Sequence, residues 1–520
     1  MKAKIFIYLT WLFFVASGCE NFLEEVPRDI IAPENYFQSE SDFRASITGL
    51  YAIYKNNAMY GQLGLDAYYD NGVDILEPNR AAVFLNSWCN YIINESSVQE
   101  IAQLMGAMQT WKDCYRVINN ANVILGNLEG KEDILLGSAD EIRGEILFLR
   151  SLAYYHLTNM WGNVPYFRQF TSLEEISRTG REDVNKIRNE ILIDLQQAQD
   201  WMPLTVPASQ NGRATSWAAA ILMVKIYLIQ NEWQKALDKS LEIINESHFS
   251  LLENYDEVFK PDNEYNEEII WSLDFAKDIQ SMLEKGVPHL AGNGYWRPSM
   301  FVPRLVDEPK SSADRPTLIN KLSENGHAFN GTGLQVCLPD FENKFPENDL
   351  RRSLNVRKFY EGIELNFAYN AKNWNLDVAT SPRFNHGDNR IIFRLADVYL
   401  MAAEAENELN GPANAYQYIN KVRERAYATQ EEWELKDLTQ VEFRQKIFDE
   451  RKWELAGECH RKMDLIRWGL LLDVVNTTEY RAYDPAANIQ PHMVLLPIGE
   501  LELQLNPTLL ESDPTNNGYR

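Results

Sequence analysis

Between Glu141 and Met160 the apolar residues Ile142, Ile146, Leu149, Ala153 and Leu157 recur every three or four positions, a period that predicts a helix with one buried face. The same period returns twice in paired form. Ala218 to Ile229 predicts a strongly apolar helix, Asn231-Glu232 a short turn, and Trp233 to Ile244 an amphipathic return helix with Ala236, Leu237, Leu241 and Ile244 on one side. Near the C-terminus, Ile391 to Leu409 predicts one helix, Asn410-Gly411-Pro412 its stop, and Ala415 to Arg425 the next, carrying Ile419 and Val422. Ala402-Ala403-Glu404-Ala405 supplies small residues that let paired helices come close. This layout predicts a mostly α fold, a tetratricopeptide-like helical repeat scaffold. The full repeat consensus is absent, so ordinary helical hairpins are the alternative.

Between the helical blocks the pattern changes. Pro261 to Asn389 is rich in Gly, Pro and Asn, and only short pieces, Glu268 to Leu273 and Arg351 to Phe359, read as strands. A second loop-rich insert, Gly61 to Ser97, separates two N-terminal helices. The expected organisation is therefore a helical region over 19–260 with a binding loop near 61–97, a loop-rich, weakly β insert over 261–390, and a helical region over 391–520. Loops on a rigid scaffold are where recognition usually sits.

Residues 1–18 read as an address. Lys2 and Lys4 precede an apolar run, Ile5 to Val15, too short for a membrane span of about 20 residues. Ala16-Ser17-Gly18 is a small-residue cleavage site followed at once by Cys19, and Ser-Gly-Cys resembles a bacterial lipobox, although Ala16 stands where Leu is usual. A lipidated Cys19 would anchor the chain, each buried methylene contributing about 0.8 kcal/mol. Plain secretion is the alternative. The other four thiols, Cys89, Cys114, Cys337 and Cys459, include no CxxC pair and suit buried free thiols.

A net charge of −25 argues against nucleic acid and against an anionic membrane surface as partners. No GxSxG, HExxH, GxxxxGK[ST] or full GxGxxG occurs, and no two of the seven histidines lie within five residues of each other. No metal and no cofactor is expected. A pair of catalytic carboxylates is not marked by any local pattern.

Ile142-Arg143-Gly144-Glu145, Leu149-Arg150-Ser151-Leu152-Ala153-Tyr154-Tyr155 and Trp161-Gly162-Asn163-Val164-Pro165 together resemble the signature helix of the SusD/RagB outer-membrane lipoproteins of Bacteroidetes. Four further segments agree in order: Gly212-Arg213-Ala214-Thr215; Arg394-Leu395-Ala396-Asp397; Glu450 to Trp468; and Leu496-Pro497-Ile498 with Asn506-Pro507 before Asn517-Gly518-Tyr519. Cys459 and Lys462 depart from the Gly and the Tyr or Phe often found there. Within Glu450 to Trp468 the charges Arg451, Glu454, Glu458, Arg461, Asp464 and Arg467 predict partly buried, bidentate pairs that fix helix order, with His460 a hydrogen-bonding residue rather than a base.

The resemblance implies a non-catalytic surface lipoprotein that binds an oligosaccharide or polysaccharide and passes it to a SusC-type TonB-dependent transporter, closing over it as a lid. Peptide cargo, as in the RagB branch, is the first alternative; a helical scaffold for surface enzymes and a surface glycosidase are the others. Sugars are held by flat aromatic platforms flanked by polar side chains. Two loops have that composition. Asp70, Asn71, Asp74, Asn86, Trp88, Asn90, Tyr91 and Asn94 lie in the first, and Asn293-Gly294-Tyr295-Trp296-Arg297 forms the second. Trp88 and Trp296 lead the candidates, then Tyr295, with Arg297, Asn86 and Asn293 as hydrogen-bonding partners and Trp374 as a third ring. For each Trp, core packing is the competing role.

Overall fold

The computed structural model describes residues 36–62, 64–80, 87–100, 107–135, 137–275, 295–377 and 386–520. Residues 1–18, Cys19, Asn86 and Asn293 lie outside them.

The described chain is mostly helical. Its principal helices are α1 (Glu40–Tyr54), α2 (Gly64–Asp70), α3 (Ala107–Leu128), α4 (Ala139–Trp161), α5 (Val184–Trp201), α6 (Ser216–Ile229), α7 (Trp233–Glu246), the short α8 (Arg297–Phe301), α9 (Leu395–Asn410), α10 (Pro412–Arg423), α11 (Gln440–Leu455) and α12 (Arg461–Arg467). Each neighbour packs on the next: α3 on α4, α4 on α5, α5 on α6 and α6 on α7. The stack does not stop there. Helix α7 packs directly on α9, and α9 on α10 and α11, although residues 247–394 separate α7 from α9 in sequence. Helix α6, enclosed between two neighbours, is buried almost all round.

The hairpin turns follow the residues that make them. Asn231 takes φ 57° between α6 and α7, and Gly411, at φ 81°, ends α9 before Pro412 opens α10.

Strands confine themselves to short antiparallel pairs. β1 (Leu76–Pro78) pairs with β3 (Gln335–Cys337), β2 (Ile269–Leu273) with β6 (Arg390–Arg394), and β4 (Arg357–Tyr360) with β5 (Ile363–Tyr369). Glu361 and Gly362, both at positive φ, make the β4–β5 turn. β1 ties the 61–97 loop to the middle region, and β6 runs without a break into α9.

Two expectations need correction. Ile391 does not begin a helix: residues 390–394 are β6, because their backbone pairs with β2 and Arg394 is still extended at φ −141°. Arg351 to Phe359 is not one strand either. Arg352–Asn355 forms a helical turn after Arg351, whose guanidinium is held by carboxylates, and β4 starts only at Arg357.

The charged C-terminal motif is a buried network. Arg351 reaches Glu450 and Glu454 at 2.6 Å and Asp349 at 2.6 Å. Arg394 reaches Glu454 at 2.6 Å, Glu458 at 2.7 Å and Glu268 at 2.9 Å. Arg451 bridges Asp397 and Asp464 at 2.8 Å, and Arg461 grips both oxygens of Asp74 at 2.7 Å. Burial alone would raise the Glu458 carboxyl, but Arg394 and Lys372 hold it down to about 2. His460 is half-buried, 3.4 Å from the Lys225 ammonium, and desolvation followed by Lys225 pushes its pKa down to about 3, so it is neutral. The free thiols Cys89, Cys114 and Cys337 are buried, and Cys459 is half-buried.

Candidate functional site

A small pocket of about 50 Å³ opens where four segments meet: residues 258–264 after α7, the entrance to α8, residues 372–375, and the approach to β6 at 388–391. The turn between α11 and α12 closes its inner side. Gly457 makes that turn at φ 74°, where a Cβ would come within 3.2 Å of the Asn370 side chain. Phe259, Tyr295 and Trp374 contribute rings to the wall, and Lys372, Asp388 and Arg390 contribute charge.

Trp374 is fixed by its indole N–H, which donates to the Phe301 carbonyl at 2.9 Å, and by the Arg357 guanidinium 5.3 Å from its ring centroid. Lys372 donates to Glu458 at 2.5 Å and to the Glu454 carbonyl at 2.8 Å; burial lowers its pKa to about 8. Asn375 donates to Asp388 at 2.7 Å.

Beneath the wall lies a second polar layer. Arg297 Nε donates to Asp66 at 2.6 Å, and Arg390 reaches the same oxygen at 3.3 Å. Asp70 accepts the Cys459 N–H at 3.0 Å, and burial with the Asp66 charge raises its pKa to about 7. Several atoms here have no hydrogen-bond partner in the protein: Tyr295 Oη, Asp388 Oδ2, Arg390 Nε, Asp66 Oδ2 and Asp70 Oδ1. His386 Nδ1 stands 3.6 Å from Asp388 Oδ2, beyond hydrogen-bond reach. Buried polar atoms are ordinarily paired, so such a concentration marks a place built to be completed by something else. Its donors and acceptors are interleaved, which suits a ligand whose own groups do both, as a hydroxyl does.

Asp66, Asp70 and Cys459 come within 4.8 Å of one another, but Arg297 and Arg390 already neutralise them, and burial pushes the Cys459 thiol well up. That charge balance does not suit a metal ion.

The predicted site residues separate. Tyr295 and Trp374 line the pocket, and Arg297 and Asp70 lie beneath it. Trp296 is half-buried beside Tyr295, its backbone N–H donating to Gly61 at 3.0 Å. Trp88 does not form an open platform. It is 2% exposed and packs edge-on against Tyr68 at 5.9 Å, because the 61–97 loop folds inward on its own aromatic residues. Tyr91 is buried likewise, its hydroxyl donating to Gly72 at 2.8 Å. Asn71 is buried beside Cys89, and Asp74 is taken up by Arg461. Asn90 accepts from the Asp484 N–H at 2.8 Å, and Asn94 caps the turn at Ser96 and Ser97. Sequence reasoning missed Asp66, Lys372, Asn375, Asp388, Asn389 and Arg390. They belong to no common motif, and only their convergence marks them.

Family comparison bears on the whole chain. Residues 347–519 match the model described as the SusD family, and residues 21–228 match one described as starch-binding and associating with the outer membrane. SusD-like protein P25 of Formosa agariphila is 57% identical over the full length of both chains. The chain belongs to the SusD family. Solved SusD-family structures share the fold: a SusD homolog from Bacteroides thetaiotaomicron superimposes with a TM-score of 0.75 at 21% identity, over 92% of this chain and 97% of that one. Surface glycan-binding protein A from the same organism, in complex with laminarihexaose, superimposes with a TM-score of 0.71 at 19% identity, over 92% of this chain and all of the other.

Proposed function

We propose that this chain is a non-catalytic glycan-binding lipoprotein of the outer membrane, anchored at Cys19, that hands oligosaccharide or polysaccharide to a SusC-type TonB-dependent transporter and closes over it as a lid. The observation that carries the reading is the pocket at Tyr295, Trp374 and Arg390, where rings stand beside buried polar atoms that no protein group satisfies. A ring face takes the C–H side of a sugar, and the unpaired donors and acceptors take its hydroxyls. Trp296 stays with the site as a flanking contact. The laminarihexaose complex of a SusD-family structure supports the ligand class, and the outer-membrane description of the matching family model supports the location.

Peptide cargo is the second reading, and the charges of Lys372, Asp388 and Arg390 on one small pocket favour it. Calorimetric titration of the detergent-solubilised mature chain against plant, algal, host and microbial glycans and against mixed oligopeptides separates the two. Saturable glycan binding, weakened in Tyr295→Phe and without new reducing ends, is the expected result. Binding of peptides alone sinks the glycan reading, and released sugar ends sink the non-catalytic one.

A further inference from the structure

The helical array carries a cleft that the pocket does not use. It measures about 850 Å³ and lies among α3, α4, α5 and the segment 168–170. Two rings stand in it. Phe170 is 64% exposed, an uncommon position for a phenyl ring with no covering neighbour, and Trp201 is half-buried with the Arg143 guanidinium 5.6 Å from its ring centroid.

The bed of the cleft is rigid. Asp194 is buried and takes Arg150 on one oxygen at 2.6 Å and Arg168 on the other at 2.7 Å. Arg150 also donates to Asn122 at 2.7 Å and to the Arg168 carbonyl at 3.0 Å, which fixes segment 168–170 against α3 and α4. On this bed Gln169 and Gln197 are exposed, and the half-buried Asn127 donates from its side-chain amide to the Val123 carbonyl at 2.8 Å. Arg168 also pairs with Glu190, and Glu129 and Arg143 add one charge of each sign to the lining, so neither sign dominates the cleft. Two rings, exposed amides and a guanidinium on a fixed bed are the chemistry of sugar recognition, and a neutral carbohydrate chain satisfies all of them.

We propose that the cleft at Phe170 and Trp201 is a second glycan-contact site, which engages a further stretch of a polysaccharide whose other part occupies the pocket at Tyr295 and Trp374. The inference rests on the glycan reading. Two sites on one chain make the second contact intramolecular, so a long glycan is held more tightly than a short one without any stronger single contact.

Native gels cast with laminarin, starch, xylan or homogalacturonan test it, alongside calorimetry with the hexasaccharide of whichever polymer retards the wild type. Phe170→Ser, at an exposed position, is expected to keep the wild-type melting temperature and hexasaccharide affinity while losing about tenfold in polymer affinity. Gln197→Ala is expected to act in the same direction. Undiminished polymer retardation in both variants overturns the second site. So does an equal loss of hexasaccharide binding, which would make the cleft part of the first site. If Phe170→Ser spares polymer binding but releases a co-purifying transporter, the cleft is a protein interface and the inference falls. No retardation of the wild type in any gel, with no hexasaccharide bound, overturns this inference and the glycan reading together.

Discussion

Two buried polar regions share the Glu458 carboxylate by way of Lys372, and they are built on opposite rules. In the network around Glu454, the carboxylate meets Arg351, Arg394 and Arg425, and burial that would raise its pKa is outweighed by them, so it stays well below the ordinary range. In the layer under the pocket, Asp66, Asp70, Tyr295, Asp388 and Arg390 each keep an unpaired atom. A satisfied network holds helices together, since each charge repays its desolvation through several partners. An unsatisfied one costs stability, and a ligand that completes it recovers that cost. The chemistry is the same; the count of partners separates scaffold from site.

The comparison breaks most readily at Glu454. Glu454→Ala leaves three guanidiniums buried without their shared acceptor and is expected to cost about 3–5 kcal/mol in urea unfolding. Trp88→Ala is expected to cost a similar amount, about 3–5 kcal/mol, as a core truncation, with glycan affinity unchanged; a loss of affinity without a loss of stability would return Trp88 to the site. Tyr295→Phe sharpens the contrast from the other side. It removes a hydroxyl that has no protein partner, so unfolding free energy should move by less than about 0.5 kcal/mol while ligand affinity falls about tenfold.

The smallest effects are in pH. Glu458 titrates near 2 in the fold against an ordinary 4.5, so its stabilisation is full above 4.5 and is lost as pH falls towards 2. Asp70 runs the other way. Its folded pKa of about 7 lies above the ordinary 3.8, so stability falls as pH rises from 3.8 to 7. Asp70→Asn should abolish that slope in melting temperature between pH 5 and 8, and an unchanged slope would place the titrating group elsewhere.

The helices and the ion network were legible because their signals are local or tightly clustered. Ala218 to Ile229 and Trp233 to Ile244 carry a period that chain geometry reads directly, and the charges of Glu450 to Trp468 recur at helical spacing. Residues 390–394 were misread because Ile391, Ile392 and Phe393 continue an apolar run that helix and strand share, and only pairing with β2 decides between them. The burial of Trp88 was not legible for a related reason. Neighbouring Asn and Tyr give a binding composition, yet the same side chains pack on Tyr68 and cap local turns.

The sequence by itself determined the helical array, its turns and the clustering of charge in Glu450 to Trp468, since each follows from spacing along a regular backbone; the partners of those charges, Arg351, Arg394, Asp397 and Asp74, come from distant segments. Tertiary structure alone decided the continuity of α7 with α9 across residues 247–394, and the site itself. Tyr295, Lys372, Asp388 and Arg390 are spread along the chain, and of these only Tyr295 stands out in the sequence. They become a pocket because separate segments close on one turn at Gly457, and whether a buried polar atom finds a partner there is a property of the assembled fold.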